Sequence, residues 1–138
     1  NNPGSWPCWS YSNHDSKRIA SRISKNPKDI MKKLLELEGN ICIYQGEELG
    51  LKETDVAFED LQDPFGKNFW PEFKGRDGCR TPMPWNSNKN LGFSIGVPWL
   101  PANNQYLMCS VEEQIKNENS MLNFTKDLIS KRKKGIAT

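Results

Sequence analysis

Residues 49–109 carry no sustained hydrophobic period, and that stretch constrains the fold more than any other feature of the 138-residue chain. Most of the 10 Gly and 9 Pro lie either there, in 62–102, or in the first eight residues. A structureless connection that long is foreign to a compact domain unless it is functional. The chain is long enough for one ordinary domain and short of two. No apolar run approaches the roughly 20 residues of a membrane helix.

The segments flanking this loop are ordered in pattern. Trp9-Ser10-Tyr11-Ser12 alternates aromatic and small polar residues, as a short strand does, and ends at Asn13-His14-Asp15. A helical segment is expected from about Ser16, with Ile19, Arg22 and Ile23 at turn-like spacing. Asn26-Pro27-Lys28-Asp29 is a helix start, with a capping side chain, Pro at the first position and an acid in the first turn. Ile30, Met31, Leu34, Leu35 and Leu37 then mark one face, and Gly39 is expected to end the helix. Asn40-Ile41-Cys42-Ile43-Tyr44 follows as a buried-type strand. Strand, helix and strand in so few residues predict a βαβ unit with parallel strands. Beyond the loop, Ser110-Val111-Glu112-Glu113 forms a capping box. Val111, Ile115, Leu122, Phe124, Leu128 and Ile129 then predict one long amphipathic helix to about Lys134. The order is β-α-β-long loop-α, an α/β pattern.

Composition excludes several partners. The net charge is +2, and the one basic cluster, Lys131-Arg132-Lys133-Lys134, reads as the cationic last turn of a helix stopped by Gly135. Neither nucleic acid nor membrane is an expected partner. Cys8, Cys42, Cys79 and Cys109 are widely spaced without metal-site spacing, and His14 is the single histidine, so no metal and no cofactor is expected. Cys42 reads as a small hydrophobe in its strand. No targeting leader is visible, and a reduced, cytoplasmic protein is the expectation. The sequon Asn123-Phe124-Thr125 falls within a helical pattern and is discounted.

In parallel α/β architecture, chemistry gathers where strands end at their carboxyl edge. Asn13-His14-Asp15 and Gln45-Gly46-Glu47-Glu48 occupy such positions, and a third polar string, Arg76-Asp77-Gly78-Cys79-Arg80, lies in the loop. Together with Trp6-Pro7-Cys8-Trp9, the segment containing Arg18 and Arg22, Asp63-Pro64, Phe69-Trp70-Pro71, the continuation Thr81-Pro82-Met83-Pro84-Trp85, and Pro98-Trp99-Leu100, these strings run nearly end to end. The chain resembles the α-glucosidase branch of glycoside hydrolase family 13, the α-amylase superfamily. The resemblance implies that residues 1–138 are the C-terminal portion of a (β/α)8 TIM barrel. They would supply its seventh and eighth strands with their helices and a long loop, and no complete independent domain.

The resemblance also implies roles. Asp15 would be the carboxylate that stabilises the transition state of a retaining α-glucosidase. His14 and Arg80 would bind the terminal glucose of an α-linked oligosaccharide, Arg80 also orienting Asp15. Arg76 and Asp77 would hold the loop by pairing. Glu47 and Glu48 would support structure, and Trp6 and Trp9 would pack the core and loop. The family's nucleophile and general acid belong to the fourth and fifth strands, outside this sequence, and Asp55, Glu59, Asp60 and Asp63 lie in the wrong context to replace them. The 138-residue chain alone is therefore expected to be inactive. With its strand edges and the faces Ile30/Leu34/Leu37 and Leu122/Leu128/Ile129 uncovered, it is expected to self-associate. Two alternatives share the same strings: a non-catalytic, glucosidase-like binding subunit and a glucosyl-transferring relative.

Overall fold

The computed structural model describes residues 4–135. Its spine is a βαβ unit. Strand β1 (Cys8–Trp9) pairs in parallel with β2 (Asn40–Ile41), Cys8 opposite Asn40 and Trp9 opposite Ile41. Between them lie a single turn, α1 (Ile19–Arg22), and helix α2 (Pro27–Glu36). The Asn26 side chain accepts from the Lys28 amide at 3.0 Å with Pro27 at the first position, so α2 starts where its capping signal lies. It ends at Glu36, before Gly39. Gly39, at φ +124°, serves the return into β2 instead. A Cβ there would come within 2.6 Å of the Pro7 carbonyl oxygen, so that return requires glycine.

Both strands are shorter than their sequence patterns. The ladder closes with the Cys42 amide on the Trp9 carbonyl at 2.8 Å. Past that point the first strand spends its hydrogen bonds on turns, the Ser10 hydroxyl donating to the Ser12 carbonyl. Ile41 and Ile43 are half-buried against the helices, whereas Cys42, between them on the opposite face, is exposed. Cys42 is thus not the buried residue expected. Trp6 and Trp9 are also exposed, and Trp9 is held by its indole N–H on the Glu38 carbonyl rather than by packing.

Residues 49–109 are ordered as short 3-10 turns, the longest at Asn104–Cys109, plus α3 (Pro64–Asn68). The Asp63 carboxylate accepts from the Phe65 amide and caps α3, again with Pro at its start. After the loop, the expected single helix is two: α4 (Val111–Lys116) and α5 (Met121–Lys133). Asn117 and Ser120 cause the break. Ser120 turns back on the Asn117 carbonyl at 2.9 Å, and its hydroxyl accepts from the Asn123 amide to start α5. The Asn123 side chain then donates to the carbonyls of Gln114, Ile115 and Asn117, satisfying the end of α4. The break also shifts the buried face. Ile115 is exposed, while Gln114 is buried, its amide bonded to the carbonyls of Leu49 and Cys109 and to the Leu122 amide.

Helices α2 and α5 pack on one another, with Met31, Leu34, Leu35 and Leu128 in one cluster and Leu37, Phe124 and Ile129 against it. Ile30 and Leu122 are buried as well. The apolar faces expected to be uncovered are therefore satisfied within the chain, which removes them as grounds for self-association. Arg132 fastens the pair, its guanidinium donating to the carbonyl of Leu35 in the last turn of α2 and to those of Leu37 and Gly39 just past its end. The basic cluster is thus a helix end at work, with Gly135 left-handed after it as expected. Among the described residues no helix is long and apolar enough to cross a membrane.

Candidate functional site

After β1 the chain turns at Asn13, whose side-chain oxygen accepts from the Asp15 amide at 2.8 Å. Such a turn leaves the two following side chains outside: His14 is 73% exposed and Asp15 51%. The loop holds this turn from below. The Cys79 sulfur lies against the turn, 3.7 and 3.5 Å from the carbonyls of Asn13 and His14, with its one S–H closest to the Arg76 carbonyl at 3.1 Å, and Arg80 Nε donates to the His14 carbonyl at 2.8 Å.

Three cationic or imidazole groups converge on Asp15. Arg76 reaches its Oδ1 at 2.9 Å and Arg80 the same oxygen at 3.1 Å, while His14 Nε2 lies 3.3 Å from Oδ2. His14, Asp15 and Arg80, all named from the sequence, are thus brought together. Arg76 was expected only to hold the loop; it does so and also touches Asp15. It does not pair with Asp77. Its fork lies on the fully buried Asp63 carboxylate, Nε to Oδ2 at 2.8 Å and an end nitrogen to Oδ1 at 2.9 Å, and its backbone amide adds a third bond. The Arg76 guanidinium holds the Asp63 carboxyl far below the usual carboxylate range, and Asp63 pushes the guanidinium's own pKa up. Asp77, also buried, accepts from the amides of Gln62 and Asp63 and lies 3.8 Å from Arg80.

A third arginine braces the floor. Arg18, buried, donates to the carbonyls of Gln45 and Cys79 at 2.9 and 3.0 Å and lies over the Tyr44 ring. The Tyr44 hydroxyl donates to the Cys79 carbonyl. Gly46, at φ +96°, leaves room for that guanidinium, because a Cβ would approach it to 2.6 Å. Glu47 and Glu48 point into their own turn, accepting from the amides of Tyr44 and Gly46. Glu47 is buried, and desolvation pushes its carboxyl up.

Asp15 and Arg76 border a cleft of about 530 Å3 that also includes Lys17, Glu53, Asp55 and Phe73. Its chemistry is that of a carboxylate whose orientation is set by one nitrogen from each of two guanidiniums, both on the same oxygen. One oxygen is occupied by guanidinium, and the other shares its side with an imidazole. Such a pair can grip neighbouring hydroxyls, the carboxylate accepting and the nitrogen donating. Asp63 is the member of this constellation that sequence reading missed. Asp63-Pro64 was read only as one of the strings that carry the resemblance, and no local signal tied Asp63 to Arg76 or Asp15. Among the described residues no group of three or more His, Cys, Asp or Glu is placed to hold a metal.

The sequence profile of the family described as "Alpha amylase, catalytic domain" matches residues 1–138. The chain is 44% identical over 138 residues to a probable alpha-glucosidase of Rhizobium meliloti (strain 1021), covering 95% of this chain and 25% of that protein. It is 33% identical to an oligo-1,6-glucosidase of Parageobacillus thermoglucosidasius, covering 93% of this chain and 27% of that one. Among solved structures, it is similar to an alpha-glucosyl transfer enzyme at 47% identity and TM-score 0.84, over 92% of this chain and 25% of the other. The chain spans about a quarter of the length of the curated relatives it matches.

Proposed function

The chain belongs to the family of alpha-amylase catalytic domains, and from that premise we propose that it is the C-terminal part of a (β/α)8 barrel, the seventh and eighth strands with their helices and long loop, in a retaining α-glucosidase. The substrate is an oligosaccharide with a terminal α-linked glucose. The observation that carries this reading is the convergence of Arg76 and Arg80 on a single oxygen of Asp15, beside His14.

The role of Asp15 follows from its surroundings. As the glycosidic bond breaks, the sugar flattens and gains positive charge at its ring. A carboxylate gripping the 2- and 3-hydroxyls then bonds more strongly than it did to the ground state, and only such a difference accelerates reaction. Arg76 and Arg80 hold the carboxylate in place before the sugar arrives, so little reorganisation is needed. His14 donates to the same hydroxyls. Nucleophile and general acid come from elsewhere in the barrel, and no cofactor takes part.

In the full-length protein that carries this chain, Asp15→Asn lowers kcat by at least about a thousandfold with little change in KM. A variant within tenfold of wild type would remove Asp15 from the mechanism. The likeness to an alpha-glucosyl transfer enzyme favours one second reading, transfer of glucose to an acceptor instead of water. Product analysis with an added acceptor sugar separates the two.

A further inference from the structure

The Arg76 guanidinium has an edge that donates in parallel through Nε and Nη2, and that edge is spent on Asp63: Nε lies 2.8 Å from Oδ2 and Nη2 2.9 Å from Oδ1. The remaining nitrogen, Nη1, reaches Asp15 Oδ1 at 2.9 Å. One planar group thus joins the two carboxylates, and its plane is set at the Asp63 end.

That end is anchored in the backbone. The Asp63 side chain is fully buried, and each of its oxygens accepts twice. Oδ2 takes Nε and the Arg76 amide at 2.8 Å; Oδ1 takes Nη2 and the Phe65 amide at 3.2 Å. Gly75, at φ +80°, makes the closure possible, since a Cβ on it would come within 2.9 Å of the Gly66 backbone and 3.0 Å of Asp63 Oδ2. The central carbon of the guanidinium lies over the Phe65 ring, 5.2 Å from its centroid. Asp77, itself fully buried, accepts the Asp63 amide at 2.7 Å and holds Asp63 from behind. All of these contacts join residues of this chain to one another, and the rest of a longer protein can only cover them further.

The fork matters because of what it would otherwise do. An arginine with that edge free can close on Asp15 with two nitrogens and take both of its oxygens. Anchored on Asp63, Arg76 takes one. Asp15 Oδ2 is left beside His14 Nε2, 3.3 Å away, where a pair of neighbouring hydroxyls would meet an acceptor and a donor together.

We propose that Asp63 is a positioning residue for the reaction at Asp15: it aims Arg76 so that a single nitrogen steadies one oxygen of Asp15 and the other oxygen stays open to the sugar. This role rests on the reading of Asp15 as the carboxylate that grips the substrate. In the full-length protein, with 4-nitrophenyl α-glucoside as substrate, Asp63→Asn should lower kcat at least tenfold with KM within threefold of wild type. Asparagine keeps the shape and an acceptor but not the charge that competes for the fork. In the Arg76→Met background the same substitution should leave kcat within twofold, because Asp63 acts through Arg76. There it should also raise the urea midpoint, by removing a buried carboxylate that has lost its partner. Should Asp63→Asn alone fail to fold, the two Arg76→Met proteins still decide: equal kcat at different midpoints supports the role, and kcat that rises with the midpoint overturns it. A tenfold fall in both backgrounds would also overturn it, as would a folded Asp63→Asn with kcat within twofold of wild type while Asp15→Asn loses a thousandfold. That last result leaves the reading of Asp15 standing. Asp15→Asn within tenfold of wild type would overturn both.

Discussion

Arg76 meets two demands at once, neutralising Asp63 inside the loop and steadying Asp15 at the surface. Arg76→Met leaves a carboxylate with a fully buried side chain unpaired. Breaking such a pair costs about 3–5 kcal/mol when both partners are buried; with Arg76 31% exposed, the lower end is expected, read as a fall in the urea midpoint. Arg76→Lys should recover part of that stability but not the bond to Asp15, since an ammonium cannot serve two carboxylates through a fork. The two buried carboxyls also set opposite pH limbs. Asp63 is depressed, so its contribution is complete above the ordinary carboxylate pKa of about 4 and disappears as pH falls through its lower folded value. Glu47 is raised, so stability is lost as pH rises from about 4 through its higher folded value. Glu47→Gln keeps the acceptor for the Tyr44 amide and removes the charge. Its denaturation midpoint should gain on wild type between about pH 4 and 7, and parallel midpoints would reject the assignment.

Among the elements, α5 depends on α2 for more than apolar contact. Arg132 occupies three carbonyls at the end of α2 and the turn beyond it, where outgoing oxygens would otherwise lack partners. Hydrogen bonds to a charged donor contribute about 1.5–3 kcal/mol, so Arg132→Met should destabilise by about that amount. Lys133→Met, which removes the same charge one residue on, should stay within about 0.5 kcal/mol of wild type. Equal effects of the two would mean that general charge near the helix end matters and the carbonyl contacts do not. Leu34→Ala, in the α2–α5 cluster, should cost about 2–5 kcal/mol.

For the whole molecule, the balance between satisfied and open surface decides the behaviour of the isolated chain. The α2 and α5 faces cover each other, yet β1 and β2 form a two-stranded parallel sheet with an open edge on each side, flanked by exposed Trp6 and Trp9. Unpaired strand edges seek partners. The isolated 138-residue chain is expected to associate in a concentration-dependent way through those edges, and to release no glucose from a chromogenic α-glucoside. Sedimentation across a concentration series tests the first point; a dilute monomer with a cooperative, concentration-independent melt would show that the βαβ unit closes its own core. Glucose release that is lost on Asp15→Ala would refute the second.

Local chemistry alone determined the order of elements, the capped starts at Asn26 and Ser110, the left-handed stop at Gly135 and the parallel pairing of the two strands. Each of these depends on side chains within a few residues of the backbone groups they serve, or on the connection length a crossover needs. The strings at 13–15 and 76–80 were legible too, though only the family resemblance, and no local signal, implied that they belong together. The tertiary structure alone decided how that site is held. Arg76 and Arg80 lie 61 and 65 positions from the carboxylate they share, and no period or spacing encodes a contact across that distance. It arises because the aperiodic loop closes on Arg18, Asp63 and Asp77, buried polar groups that must find partners. The break at 117–120 is local, made by Asn117 and Ser120, although the apolar pattern runs across it. The burial of Gln114 in place of Ile115 is tertiary: its side chain meets the Leu49 carbonyl, 65 positions away, a contact to which helical pattern is indifferent.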